Sequence, residues 1–211
     1  LPGHGATHLH PIDVPTTIAA IGAWLASFAH PIPLVGYSQG GRMALLAAIE
    51  YPHLVERLVL VSASAGIEDD GDRAQRRIRD ERLADHIEAV GVEAFLDEWL
   101  AGPIAGTAHV DVDAQRRDRA VRSVNTATGL ASALRGLGQG AQPYVGDRIA
   151  VLPVPLLTIS GSADSAYTRL GEDMANNAAV GTHVSVDGAG HNVILDAPGA
   201  LVAALAGFGI A

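Results

Sequence analysis

The sequence predicts a doubly wound α/β fold: a mostly parallel sheet with helices on both faces and a helical insertion. Three observations carry that reading. Four short apolar runs have the length of buried strands: PIPLVGY at 31–37, LVLVSA at 58–63, PLLTISG at 155–161 and HVSVD at 183–187. Helical patterns alternate with them, and near-continuous apolar strands between helices indicate a parallel sheet covered on both sides. Between the second and third runs lies a stretch over about 66–142 that is rich in Arg, Asp and Glu and reads as helical throughout. One crossover does not need so many residues, so this stretch is a lid candidate.

The elements follow in order. After a loop with Pro11 and Pro15, residues 16–28 place Ile18, Ile21, Trp24, Leu25 and Phe28 at helical spacing, with Thr16 or Thr17 as a cap. The first strand ends near a glycine, and an alanine- and leucine-rich helix over 40–50 is closed by Pro52. In the insertion, Ala74, Ile78, Leu83, Ile87 and Val90 predict one amphipathic helix. Phe95, Leu96, Trp99 and Leu100 predict a second, and Val121, Val124, Leu130, Leu134 and Leu137 further ones. Helices over 167–178 and 198–206 complete the chain, the latter with Pro198 in its first turn and Gly207 past its end. Three segments result: a core part over 1–65, a helical lid over 66–142 and a second core part over 143–211.

Bulk properties narrow the function. With 211 residues the chain can bury one continuous core, and a formal charge of −9 argues against sequence-independent nucleic-acid binding. No apolar run approaches the roughly 20 residues of a membrane span. The absence of cysteine excludes disulfides and thiolate metal sites, and nothing resembles a secretory signal. The expectation is a cytoplasmic, cofactor-free enzyme domain. All its cationic side chains are arginine, 14 in number, with no lysine.

The chemistry starts at Gly36-Tyr37-Ser38-Gln39-Gly40-Gly41, a G-x-S-x-G motif between a strand and a helix. A nucleophilic serine needs a sharp, strained turn to project above the sheet, and flanking glycines remove Cβ clashes. The N–H of Gln39 then starts the next helix, aimed at a developing oxyanion. A serine hydroxyl reacts only when a histidine takes its proton. The α/β-hydrolase arrangement predicts the chain order serine, acid, histidine. Asp164 follows the third strand in GSAD and His191 follows the fourth in GAGH, both at carboxyl ends where ligands collect in open sheets. Asp187 is a rival acid, but it sits on the histidine's own loop and reaches the ring less naturally. His4, in the opening loop, is a weaker candidate that could face the site. His8, His10, His30, His53, His86, His109 and His183 show no paired metal-binding spacing and read as structural or solvated.

These residues resemble a particular family. LPGHG at the start, GYSQGGR at the elbow, RAQRRIRDERLADHIEAVGVEAFLDEWL in the insertion, then VRSVN, GSAD and the final AGH fall in the order seen in the 2-succinyl-6-hydroxy-2,4-cyclohexadiene-1-carboxylate synthase family of menaquinone biosynthesis. LPGHG, the elbow and the final GH are common to many α/β hydrolases. The GGR after the elbow and the insertion pattern are the more specific part.

The resemblance implies a 2,5-elimination of pyruvate from a polycarboxylate cyclohexene, with Ser38 as the proton-abstracting group activated by His191 and Asp164. It implies carboxylate binding by Arg42, Arg76 and Arg122 in a pocket lined by Tyr37 and Trp99. It also implies an earlier segment carrying a second oxyanion donor and central strands, so the chain as it stands predicts an unpaired apolar sheet edge.

The residues by themselves support part of this. Arg42 is one helical turn beyond Ser38, and a guanidinium fork suits bidentate carboxylate binding. Among Arg73, Arg76, Arg77, Arg79 and Arg82, at least three are expected to pair with Asp80, Glu81 or Asp85 on the helix face. The competing function is a carboxylic-ester or carbon–carbon hydrolase with Ser38 as acyl nucleophile; a non-catalytic binding relative stands third. The triad cannot separate the first two.

Overall fold

The computed structural model describes residues 1–7, 10–102 and 110–210. His8 and His109 lie outside them. Two compact units result: Ile18–Gly66 with Tyr144–Ala211, and Leu1–Thr17 with Ile67–Pro143.

The first unit is built on four parallel strands in the order β1 (Ile32–Tyr37), β2 (Val55–Val61), β3 (Leu156–Gly161) and β4 (Gly181–Val186). β2 and β3 are the interior pair, and Leu58, Val59, Leu60, Val61, Leu156, Leu157 and Ile159 are each at most 1% exposed. Burial on both sides is why they read as largely apolar runs, with Thr158 and Ser160 of β3 as buried polar exceptions. β1 pairs on one side only, with β2, and Val35 in it is 45% exposed.

Register places the helices. Gly36, Leu60, Thr158 and His183 align across the sheet and share one face. α2 (Gln39–Glu50) packs there on Gly36, and α7 (Ser165–Asn177) on Thr158, whose hydroxyl donates to Gly171 O at 2.8 Å. On the other face, Val59, Val61, Leu157 and Ile159 cluster with Leu201, Ala204 and Leu205 of α9 (Pro198–Gly207). Helices therefore cover both faces.

α1 (Val14–Leu25) begins earlier than its apolar spacing suggested. Its cap is Asp13, whose carboxylate accepts from Thr16 N at 2.8 Å, while Pro15 fits the first turn. A carboxylate two residues before a proline satisfies a first-turn amide as well as a threonine would. β2 ends at Val61, short of Ala63, because Ser62 turns out of the strand with φ 48°.

A polar layer lies beneath α7. His183 Nδ1 is 2.8 Å from the Thr158 hydroxyl, and Ser160 Oγ is 3.0 Å from Thr168 Oγ1. Burial pushes the His183 pKa down, partly offset by Glu172. An unfolded chain binds that proton more readily, so the stability this histidine contributes is present above about pH 6.5 and is lost as pH falls through its lower folded value. The melting temperature should drop between pH 7.5 and 5, and His183→Gln should flatten that slope. An unchanged slope in the variant would remove His183 from the account.

The second unit is helical. α3 (Asp70–Ala101) is one long element broken at Gly91 (φ 80°, ψ 170°), so the two helices expected there are its two segments. Buried Ala84, Ile87, Phe95 and Leu96 of α3, and Ala131, Ala133 and Leu137 of α5 (Ala127–Leu137), form its apolar interior. Arg135 of α5 reaches Glu81, Asp85 and Glu88 at 2.6–2.9 Å, one face of the first segment. Arg119 of α4 (Val112–Ser123) takes Glu93 and Asp97 of the second segment at 2.7 and 2.8 Å. The carboxylates hold both guanidinium pKa values above the ordinary arginine value.

These pairings correct the expectation that Glu81 and Asp85 serve neighbours on their own helix: helix packing hands them to Arg135 instead. The opening LPGHG belongs to this unit, with the Gly5 amide donating to Asn125 Oδ1 of the VRSVN segment at 2.8 Å. At Gly3 (φ 78°) an added Cβ would sit 2.4 Å from Gly129 O, so only glycine fits. Among the described residues no helix is long and apolar enough to cross a membrane.

Candidate active site

The serine turn is strained where the motif requires it. Ser38 links β1 to α2 with φ 48° and ψ −114°, a left-handed conformation costly for any residue with a Cβ. Its amide donates to Val61 O at 2.8 Å, so the strand ladder holds the turn. A Cβ on Gly36 would meet Gly40 O and Gly41 Cα at 2.6 Å, and one on Gly41 would meet the Ala63 methyl at 2.6 Å. Gly40 faces open space. The glycines the elbow needs are therefore Gly36 and Gly41; the motif's second glycine is not the constrained one, because the close approach occurs one residue further along α2. Gln39 opens α2, at the positive end of its dipole.

The acid and histidine loops are stitched together. Gly161 ends β3, and a Cβ there would meet Ala189 O at 2.1 Å and Gly190 O at 2.2 Å. Glycine alone lets the histidine loop pass directly against the acid's strand. Ala163 N donates to Ala189 O at 2.9 Å, Gly188 N to Ser162 Oγ at 2.9 Å and Gly190 N to Asp196 Oδ2 at 2.8 Å.

Three side chains meet as a result. His191 Nδ1 is 2.7 Å from Asp164 Oδ2, and His191 Nε2 is 3.0 Å from Ser38 Oγ. A carboxylate only accepts, so Nδ1 carries the proton and Nε2 is left to accept from the serine hydroxyl. The His191 and Asp164 side chains are 6% and 16% exposed, so their hydrogen bond is shielded from water. Asp187 instead faces Ser162 Oγ at 3.5 Å, and Asp164 is the histidine's acid. The Tyr37 ring lies 5.7 Å from the imidazole. Arg42 is 6% exposed in the first turn of α2, its amide donating to Ser38 O at 3.0 Å.

The remaining candidates sit in the helical unit. Arg76 Nε donates to the buried Asp80 at 2.6 Å, and Arg76 Nη1 to Gln139 Oε1. Arg122 Nε donates to Asp118 at 2.7 Å, and Trp99 stacks on Phe95 with centroids 5.7 Å apart. Both arginines are engaged through Nε by acids four residues away on their own helices. Of the other insertion arginines, Arg73 pairs with Asp70 and Arg77 Nε donates to Gly140 O at 3.3 Å. His4 lies in this unit beside the Pro2 carbonyl, and burial lowers its pKa.

Sequence reading passed over Gly161, Asp196, Tyr167 and Ser62. The last has the same φ of 48° as Ser38 at the carboxyl end of the neighbouring strand, is 1% exposed, and its amide donates to Ile159 O at 2.8 Å. Only the GSAD segment itself hinted at one of them, by ending a strand on a glycine. No group of His, Asp and Glu among the described residues could hold a metal ion.

Comparison with known proteins agrees with this fold. The sequence model of the α/β-hydrolase family matches residues 1–205. A 2-succinyl-6-hydroxy-2,4-cyclohexadiene-1-carboxylate synthase of Salmonella typhimurium is 30% identical over 210 residues, covering 98% of this chain and 80% of that protein. A Bacillus subtilis protein provisionally named for the same activity is 35% identical over 170 residues, covering 80% of this chain and 62% of its own length. The chain thus spans less than two thirds of that relative. The structure of MenH from S. aureus superposes with a TM-score of 0.94 at 27% identity, covering 99% of this chain and 80% of that one. A thermophilic esterase from Thermogutta terrifontis shares the fold at TM-score 0.81 and 20% identity. The chain belongs to the α/β-hydrolase family and, within it, to the 2-succinyl-6-hydroxy-2,4-cyclohexadiene-1-carboxylate synthase family.

Proposed function

We propose that the protein is a carbon–oxygen lyase that eliminates pyruvate from a succinyl-enolpyruvyl-cyclohexene carboxylate, giving 2-succinyl-6-hydroxy-2,4-cyclohexadiene-1-carboxylate in menaquinone biosynthesis. The observation that carries the mechanism is the Ser38–His191–Asp164 hydrogen-bond chain with a buried arginine one helical turn beyond the serine. His191 Nε2 takes the Ser38 proton, and the serine oxygen removes a ring proton of the substrate. The electron pair of that C–H bond moves through the ring and expels the enolpyruvyl oxygen as the enolate of pyruvate. The proton held on His191 is returned to this leaving group, which becomes pyruvate, and the serine keeps the ring proton. The backbone N–H of Gln39 stabilises the enolate-like charge, aided by the α2 dipole. Asp164 stabilises the imidazolium that forms in between.

The substrate is a polyanion, and arginine is the side chain that binds carboxylates in a planar, bidentate fashion. Arg42 and Tyr37, next to Ser38, are assigned to substrate binding, and Arg76, Trp99 and Arg122 are the substrate-binding candidates of the helical unit, read as a lid. In Arg76 and Arg122 a carboxylate on Nε fixes the guanidinium plane, and Arg76 Nη1 is held by Gln139 Oε1 as well. A water-soluble polycarboxylate as substrate makes the cytoplasm the proposed compartment.

The deciding experiment is Arg42→Ala. For a polycarboxylate lyase its kcat/KM should fall by about 100-fold, the size of one charge-assisted pair of hydrogen bonds, while cleavage of a neutral p-nitrophenyl ester by Ser38 changes little. Unchanged elimination in the variant, alongside efficient ester cleavage by the parent, would transfer the site to an ester hydrolase.

A further inference from the structure

We propose that Tyr167 is a positioning residue for the triad: its backbone amide and its ring together hold Asp164 and His191 in the arrangement that delivers Nε2 to Ser38. The inference rests on the reading of Ser38, His191 and Asp164 as the reacting groups.

Asp164 has two tasks. It is the N-cap of α7, with Oδ1 accepting from the Tyr167 amide at 3.4 Å, and its Oδ2 meets His191 Nδ1 at 2.7 Å. A carboxylate with one oxygen fixed to a helix amide cannot rotate without losing the cap, so the other oxygen stays on the imidazole. Tyr167 is the third residue of that helix, and helical side chains lean toward the N-terminus. Its ring is thereby carried back over the loop it caps. It reaches the imidazole edge-to-face, with centroids 4.5 Å apart and planes at 69°. Tyr37 adds a second, looser ring contact at 5.7 Å.

An imidazole turned over about Cβ–Cγ would present carbon where Nδ1 meets Asp164 and leave Ser38 without a base. A ring packed edge-to-face at 4.5 Å hinders that turn. The first turn of α7 is itself pinned, since the Thr168 hydroxyl lies 3.2 Å from Gly161 O and 3.1 Å from Asp164 O. The clamp is therefore part of the loop architecture and not a mobile side chain resting on the site.

The test reads the serine without any elimination substrate, by the rate at which a fluorophosphonate labels Ser38. Tyr167→Ala and Tyr167→Leu should label about tenfold more slowly, the preference an aromatic pair supplies for one orientation, while Tyr167→Phe labels at the parent rate. The low-field proton resonance of the His191 Nδ1–H···Asp164 bond should broaden in the Ala and Leu variants and persist in Phe. A purely structural role would lower the melting temperature and leave that resonance sharp. Parent-rate labelling of the folded Leu variant overturns the proposal, as does a Phe variant as slow as Ala. Labelling that survives Ser38→Ala defeats the reading of the site itself and is distinguishable from both.

Discussion

Ser38→Ala should lower kcat by about 10⁴-fold or more, because it removes the oxygen proposed to accept the substrate proton. The imidazole Nε2 at 3.0 Å then faces a methyl group, and His191 has no hydroxyl through which to act. The measurement is single-turnover pyruvate release by the purified variant. Stability should change little, since alanine suffers the same left-handed strain at φ 48°. Ser38→Gly should lose the same activity yet melt at or above the parent, because glycine relieves the turn. A Ser38→Ala variant that retains a tenth of parent activity would end the assignment of this serine.

Asp164→Asn should cost nearly as much activity, about 10⁴-fold in kcat, with almost no loss of fold. Asparagine is as good an N-cap as aspartate, so α7 keeps its first-turn bond from the Tyr167 amide. The damage is to the proton inventory. An amide NH₂ facing His191 Nδ1 donates where the carboxylate accepted, so the imidazole settles with its proton on Nε2. That nitrogen then donates to Ser38 instead of taking its proton. Asp164→Ala removes the cap as well and should lose about 1 kcal/mol of stability besides. The check is a pair of measurements on each variant, kcat and melting temperature. An Asn variant with normal turnover would show that the carboxylate's charge is not required.

Much of the scaffold was legible because its signals are local. Parallel strands buried on both faces are mostly apolar, so the runs at β2 and β3 stand out, and the apolar run at β1 stands out beside them. The elbow announces itself through glycines that flank a serine between a strand and a helix. What escaped were features fixed by partners distant in the chain. Glu81 and Asp85 answer Arg135 some 50 residues away; two local features escaped as well, the Asp13 cap of α1 and the break of α3 at Gly91. Gly161 looked like an ordinary strand end until the histidine loop was seen to lie against it.

The amino-acid sequence by itself determined the layered α/β architecture and the order of serine, acid and histidine along the chain. Hydrophobic period and turn chemistry act between near neighbours, and both are written in the residues. Tertiary structure alone decided that Gly41 and not Gly40 is the constrained elbow glycine, that the histidine loop lies against Gly161, and that Tyr167 closes on the imidazole. Each of these depends on which loops the parallel sheet brings side by side at its carboxyl edge. That adjacency is set by strand order and register over separations of up to 153 residues, beyond the reach of any local pattern.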